Sequence, residues 1–238
     1  ANGDPEFILY FNFAGTGSGQ SEELVRDFAG RSIEFSQCWI NPRFALADRY
    51  QSTLTGDFCD SLIAMPANNI NARNTPNSSL NPQSYANRDY RMKATMMWDF
   101  EKCIGIDDKQ ETGWVPFIYK TSGVRDYEID GTLYTTYETD RCMTGYVFRK
   151  YVRNYAGQGR SEGDFNWPVI RLADVYLMYA EAVNFAGLSS EKDFAVEVVN
   201  RVRRRGNLPD LSGAKIATQN AFFNAIDQER IVELIAEG

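Results

Sequence analysis

The stretch WPVIRLADVYLMYAEAVNFAG, from Trp167 to Gly187, constrains this chain more than any other, because its only charges are Arg171, Asp174 and Glu181. A helix this apolar on nearly every face must be buried on nearly every side. Gly187 closes it, since glycine takes the left-handed conformation that ends helices without steric cost. Ser189 and Ser190 can cap a second helix, in which Phe194, Ala195, Val198, Val199 and Val202 recur at helical spacing before Gly206, Asn207 and Pro209 stop it. Two antiparallel helices joined by a short turn form an αα-hairpin, the unit of superhelical repeat arrays. A third helix is expected from about Thr218 towards Glu237.

That third helix carries Glu229, Glu233 and Glu237 at i, i+4 and i+8, three like charges on one face that would weaken it in isolation. They need counter-charges, and the preceding helix supplies Arg201, Arg203, Arg204 and Arg205, with Arg171 and Arg230 also within reach. The spacing predicts a partly buried ion-pair network locking the helices together, drawn from Arg171, Glu181, Arg203, Arg205, Glu229, Arg230 and Glu233. Such a network contributes geometry more than net stability. A carboxylate metal site in a helical bundle is disfavoured, because such sites use Glu-x-x-His pairs and the chain has 0 His. The same count excludes Ser-His-Asp, Cys-His and His-containing zinc or iron sites within this segment.

The 238 residues carry 25 Lys and Arg against 32 Asp and Glu, a net charge of -7 that argues against a nucleic-acid partner. Cys38, Cys59, Cys103 and Cys142 show neither C-x-x-C spacing nor the density of a disulfide scaffold; small buried hydrophobes are their plainest reading. No apolar run reaches the roughly eighteen residues that span a bilayer. The first residues lack a signal-peptide pattern and the chain starts without Met, so it is expected to be a processed or cleaved segment.

Residues 1–166 read differently from 167–238. FILYFNF, Phe7 to Phe13, predicts a strand. Brief helical patterns occur around Ser21 to Phe28 and Pro42 to Gln51. The Asn-, Pro- and Ser-rich stretch from Pro66 to Asn87 predicts loop. Gly113 to Tyr119, Thr132 to Tyr137 and Gly145 to Val152 predict short strands. Loop-rich segments held by a rigid scaffold are common places for recognition surfaces.

Three motifs imitate chemistry. Gly15, Gly17 and Gly19 follow a strand, but G-x-G-x-G is not the dinucleotide fingerprint, and Glu22 and Glu23 would repel a pyrophosphate. Asp126, Glu128, Asp130 and Gly131 resemble the opening of an EF-hand loop, yet position twelve falls on Tyr137. An irregular calcium site at Asp126, Glu128 and Asp130 is the metal expectation, set against an acidic solvated turn. Asp107, Asp108, Glu128 and Asp140 supply carboxylates that a glycoside hydrolase could pair, since that chemistry needs two spaced acids.

The helix strings WPVIRLADVYLMYAEAV, AVEVVNRVRRRGNLPDL and AIDQERIVELIAEG together resemble the C-terminal signature of the SusD/RagB family. NRDYRMKAT (Asn87 to Thr95), TGYVFRKYV (Thr144 to Val152) and PRFALADRYQSTLTG (Pro42 to Gly56) resemble that family's upstream segments in order and spacing. Asn87-Arg88-Asp89 departs from the usual Asp-Pro-Arg, and Asp174 stands where Glu is more frequent. The resemblance covers the later part of such a protein. It implies a mainly α fold, a tetratricopeptide-like α/α superhelix with a loop-rich subdomain containing short strands. It further implies a non-catalytic surface lipoprotein of the outer membrane, anchored through an N-terminal Cys outside this segment. Such a protein captures oligosaccharide, or peptide in some members, for a SusC-like TonB-dependent transporter. No cofactor is expected, the alternative being the structural calcium at Asp126, Glu128 and Asp130.

Sugar recognition favours exposed aromatic faces flanked by amides, carboxylates or guanidinium groups. On that ground Trp39, Trp114, Tyr85, Tyr119 and Tyr134, with Asn69 and Asn71, are the ligand-binding candidates, whereas Trp98 and Trp167 read as core. A carbohydrate-active hydrolase and a purely structural helical adaptor are the competing expectations.

Overall fold

The computed structural model describes residues 5–13, 26–30, 37–65, 70–107, 110–116, 126–129, 132–135, 144–152 and 165–237. Along the chain run strand β1 (Phe7–Phe13), helix α1 (Arg91–Thr95), and strands β2 (Met96–Met97), β3 (Lys102–Asp107), β4 (Gln110–Pro116), β5 (Asp126–Ile129), β6 (Thr132–Thr135), β7 (Val147–Phe148) and β8 (Phe165–Arg171). Three longer helices follow: α2 (Leu172–Ala186), α3 (Lys192–Arg205) and α4 (Gln219–Glu233). Single 3-10 turns occupy Phe44–Arg49, Ile70–Asn74 and Pro82–Tyr85. The strands form separate two-stranded antiparallel pairs, β1 with β8, β2 with β7, β3 with β4, and β5 with β6.

The long apolar stretch is divided. Trp167–Arg171 belongs to β8, with Trp167 opposite Phe11 and Arg171 opposite Phe7, and the helix begins at Leu172 rather than Trp167. Pro168 lacks an N–H and disfavours helical backbone at Trp167, while Val169 and Ile170 are β-branched. Gly187 ends α2 at φ 65, its N–H donating to the carbonyls of Asn184 and Val183.

The expectation that this helix is buried on nearly every side fails. Ala173, Leu177, Ala180 and Val183 form one buried stripe, but Met178 is 46% and Phe185 86% exposed. The stripe packs on Ala195, Val198, Val199 and Val202 of α3 and on Phe222 and Ile226 of α4, with Leu211 from the connecting loop. Phe194, expected on the buried face, is 49% exposed and meets Tyr179 edge-on at 5.5 Å. The second helix starts at Lys192 after a 3-10 turn, without a side-chain cap from Ser189 or Ser190. Thr218 does cap α4, accepting from the Ala221 N–H. The result is a mainly α architecture in which a tetratricopeptide-like helix array carries a loop-rich region with short strands. Among the described residues, no helix is long and apolar enough to cross a membrane.

The loop-rich part has its own core of Leu46, Ala47, Tyr50, Leu62, Tyr85, Met92, Met96, Trp98 and Tyr146, which Val232 of α4 joins. A second bond between the parts is electrostatic. Glu229 accepts from Arg203 and, at 2.8 Å, from Nη2 of Arg91; Glu233 accepts from Arg91 at 3.1 Å, Arg171 at 2.9 Å and Arg205 at 3.0 Å. Glu237 takes Nε of Arg171 at 2.6 Å and the Lys150 ammonium, and Glu6 bridges Arg171 and Arg205. Burial works against the Arg91 charge, but Glu229 and Asp89 outweigh it and hold its pKa above the ordinary value. Glu181 and Arg230 lie apart from this cluster and pair with each other at 2.7 Å. Arg201 and Arg204 are surface residues paired with Glu197, and Arg204 also with Asp210.

Candidate functional site

The loops owe their shape to the segment around Arg88. This side chain is buried, and its guanidinium donates to three carbonyls: Ala47 at 2.8 Å, Asp60 at 2.8 Å and Ser84 at 3.1 Å. Asn87, at φ 58, turns the chain just before it. Asp89 then grips Arg91 at 2.6 Å and passes the connection into the ion cluster on α4. One short sequence segment thus ties two loops to the helical platform.

On this frame the structure places a cavity of about 190 Å³ lined by Phe44, Met65, Ser79, Asp99, Thr144 and Tyr146, among others. The Phe44 and Tyr146 rings stack at 5.5 Å and 25° to form an aromatic wall. Tyr146 is held from behind by Tyr85, whose hydroxyl lies 2.9 Å from its own, and Tyr85 donates to the Ser79 carbonyl at 2.7 Å. Burial pushes both phenols above their ordinary pKa, so they stay neutral and act as hydrogen-bonding groups, not bases. Asp99 is 2% exposed and is ion-paired with Nη2 of Arg73 at 2.9 Å, while the Arg73 guanidinium lies 3.3 Å over the Phe100 ring. An aromatic wall beside a hydroxyl pair and a neutralised carboxylate can meet the apolar C–H face and the hydroxyls of a sugar ring.

The residues singled out in the sequence fall in different places. Trp39 is half-exposed, with the Arg26 guanidinium 4.9 Å above its ring, and Cys38 before it packs in one cluster with Leu80 and Met65, both of which line the cavity. Tyr85 is a correction: it is buried, stacked on Trp98 at 4.7 Å, and serves the cavity from behind as a strut. Its spot in a polar loop suggested exposure, but the 3-10 turn at Pro82–Tyr85 folds the ring inward. Trp98 is core as expected, and Trp167 stacks on Tyr151 at 4.9 Å. Trp114 sits in β4 opposite Ile104, and Tyr134 sits in β6 opposite Tyr127, so both are carried on hairpins. Asn71 lies in the turn Ile70–Asn74; Asn69 and Tyr119 lie outside the described residues.

Asp126 and Glu128 are in strand β5, paired with β6; Asp130 lies outside the described residues. Asp107 ends β3, while Asp108, Asp140 and the Gly15–Gly19 motif also lie outside. Sequence reasoning missed Phe44, Asp99, Thr144 and Tyr146. Nothing in their spacing marks them, because they converge from three separate segments. Arg88 was legible in NRDYRMKAT only as a departure from a pattern.

The architecture is that of solved SusD-like structures. A SusD-like protein from Bacteroides fragilis aligns with a TM-score of 0.68 and 21% identity over 99% of this chain and 42% of its own. A SusD-like carbohydrate binding protein from the same organism aligns with a TM-score of 0.59 and 20% identity, over 98% of this chain and 40% of its own. A SusD superfamily protein from Bacteroides vulgatus gives a TM-score of 0.54 at 20% identity, over 98% and 38%. The chain spans less than half the length of these structures. No curated protein matches it significantly. The chain belongs to the SusD family, whose pattern it matches over residues 11–238.

Proposed function

We propose that this chain is part of a non-catalytic capture protein that binds oligosaccharide or polysaccharide at the bacterial cell surface. It would be lipid-anchored at the outer membrane and hand its ligand to a SusC-like TonB-dependent transporter. The observation that carries this reading is the cavity formed by Phe44, Tyr146, Ser79, Thr144 and Asp99, an aromatic wall with hydroxyls and a charge-neutralised carboxylate in a SusD-family loop region. The carbohydrate-binding relative from Bacteroides fragilis lends it support. Stacking and hydroxyl recognition account for capture without bond cleavage, which suits delivery of intact ligand.

The test is isothermal titration calorimetry of the chain against a panel of polysaccharides, their oligosaccharides and peptides, with reducing-end release measured alongside. Saccharide heat without product release supports the reading. Binding of peptides alone would make it a RagB-like peptide receptor, and silence with every ligand would overturn both.

A further inference from the structure

The cavity is small and its walls are uncharged in sum. Its volume of about 190 Å³ lies below the ~300–1,000 Å³ of sites that enclose drug-sized ligands. It has room for one ring, not for a run of chain. Its carboxylate, on Asp99, is almost wholly out of water and spends its charge on Arg73 at 2.9 Å. Bringing a second buried charge to that ion pair would leave one charge uncompensated, which is costly in a desolvated place. A hydroxyl has no such cost, because the Ser79 and Thr144 hydroxyls can serve it.

The wall confirms the scale. Phe44 is half-buried and presents one aromatic face, backed by Tyr146, which is itself fixed by the Tyr85 hydroxyl and, through its backbone N–H, by Thr144 Oγ1 at 3.3 Å. One ring face stacks on one sugar ring, and Phe44 and Tyr146 already cover each other. No second aromatic is placed beside them to prolong a stacking platform among the residues that line this cavity. Gly145 completes the lining between the two polar positions.

Resting on the carbohydrate-capture reading, we propose that this cavity takes a single neutral pyranose residue, a chain end or a side branch, and that the rest of the glycan stays outside it. The specificity of capture therefore lies in the identity of one sugar unit and not in the length of the chain.

The experiment uses the whole chain with methyl glycosides of neutral hexoses, the corresponding uronic acids and amino sugars, and oligosaccharides ending in the preferred hexose, observed by ligand NMR and calorimetry. One neutral methyl glycoside should bind, and its longer oligosaccharides should stay within about threefold of its affinity. Phe44→Ala should weaken it about tenfold by removing the stacking face. Thr144→Val, which keeps the shape and removes a hydroxyl, should weaken it by about threefold to tenfold. Circular dichroism checks each variant, and Thr144→Val decides the matter if Phe44→Ala does not fold. Affinity that climbs with chain length and ignores both substitutions would overturn the single-ring site while leaving saccharide capture standing. Preference for a uronic acid or amino sugar would overturn its neutral character. Absence of all saccharide binding would overturn the capture reading and this site with it.

Discussion

Arg91 reaches Glu229 with its Nη2 at 2.8 Å from Oε2, joining the short helix of the loop-rich region to the last helix of the platform across 138 positions of sequence. Glu229 is 1% exposed and also accepts from the buried Arg203. Two guanidinium groups thus share one carboxylate. The arrangement ties loop geometry to helix packing.

Removing that carboxylate leaves buried Arg203 with only the neutral acceptors Gln51 and Pro209, while Arg91 keeps Asp89 and Glu233. Glu229→Ala should destabilise the fold by about 3–5 kcal/mol, the cost typical of breaking a buried pair. Urea unfolding followed by circular dichroism measures it. A loss below about 1 kcal/mol would show that water or neighbouring acids replace Glu229.

Acid should act through Glu233. Burial would raise this carboxyl, but Arg205, Arg91 and Arg171 outweigh burial and hold it below its ordinary 4.5. A carboxyl depressed in the folded state stabilises the fold above its unfolded value, and that contribution fades as pH falls through the folded value. Melting temperature should therefore hold from neutral pH to about 5 and drop below about 4.5. Glu233→Gln should flatten that acid slope; an unchanged slope would place the acid sensitivity elsewhere.

Tyr85 and Trp39 should separate structure from surface. Tyr85→Phe loses the buried partner of the Tyr146 hydroxyl and the part-buried bond to the Ser79 carbonyl, and should cost about 1–3 kcal/mol. Trp39→Ala removes a half-exposed ring and should stay within about 1 kcal/mol of the parent. Thermal melts of the two variants give the comparison, and equal losses would contradict the burial of one and exposure of the other.

The two faces of α2 should respond just as unequally. Leu177→Ala opens a hole in the fully buried stripe and should cost about 2–5 kcal/mol. Phe185→Ser, on the side 86% exposed, should change stability by no more than about 0.5 kcal/mol. Chemical denaturation of both variants reads the difference directly.

Two glycines make a further contrast. Gly187 sits at φ 65 with open space around it, so Gly187→Ala should cost about 1 kcal/mol from backbone strain alone. At Gly206 an added methyl would collide with the Asp89 carboxylate and stand 2.9 Å from Arg91 Nε, within the ion cluster. Gly206→Ala should therefore lose clearly more than Gly187→Ala in the same denaturation assay.

The helices were legible in the chain because their signals are local. Thr218, Gly187 and the 3.6-residue recurrence of small apolar side chains act over one or two turns, and α2, α3 and α4 follow them, although α2 starts only at Leu172 and α4 ends at Glu233, leaving Glu237 beyond the helix. Strand β1 was equally plain in FILYFNF, but its partner was not: β8 begins what reads as a continuous apolar helix, and only pairing across 161 positions, Leu9 with Ile170, reveals the break. The glutamates at 229, 233 and 237 announced that cations were needed, since like charges on one face require compensation. That Arg91 and Lys150 would supply part of them could not be read, because nothing in their own segments records what α4 and the residues after it bring near.

The sequence by itself determined the repeat-like helices, the loop-rich character of the first part and the demand for buried counter-charges, all consequences of side-chain chemistry acting at short range. Tertiary structure alone decided which aromatic rings face inward, which cations meet the glutamates, and that Phe44, Asp99, Thr144 and Tyr146 share one cavity. The physical reason is that burial and ion pairing are properties of neighbours in space, and for these residues the neighbours come from segments far apart along the chain.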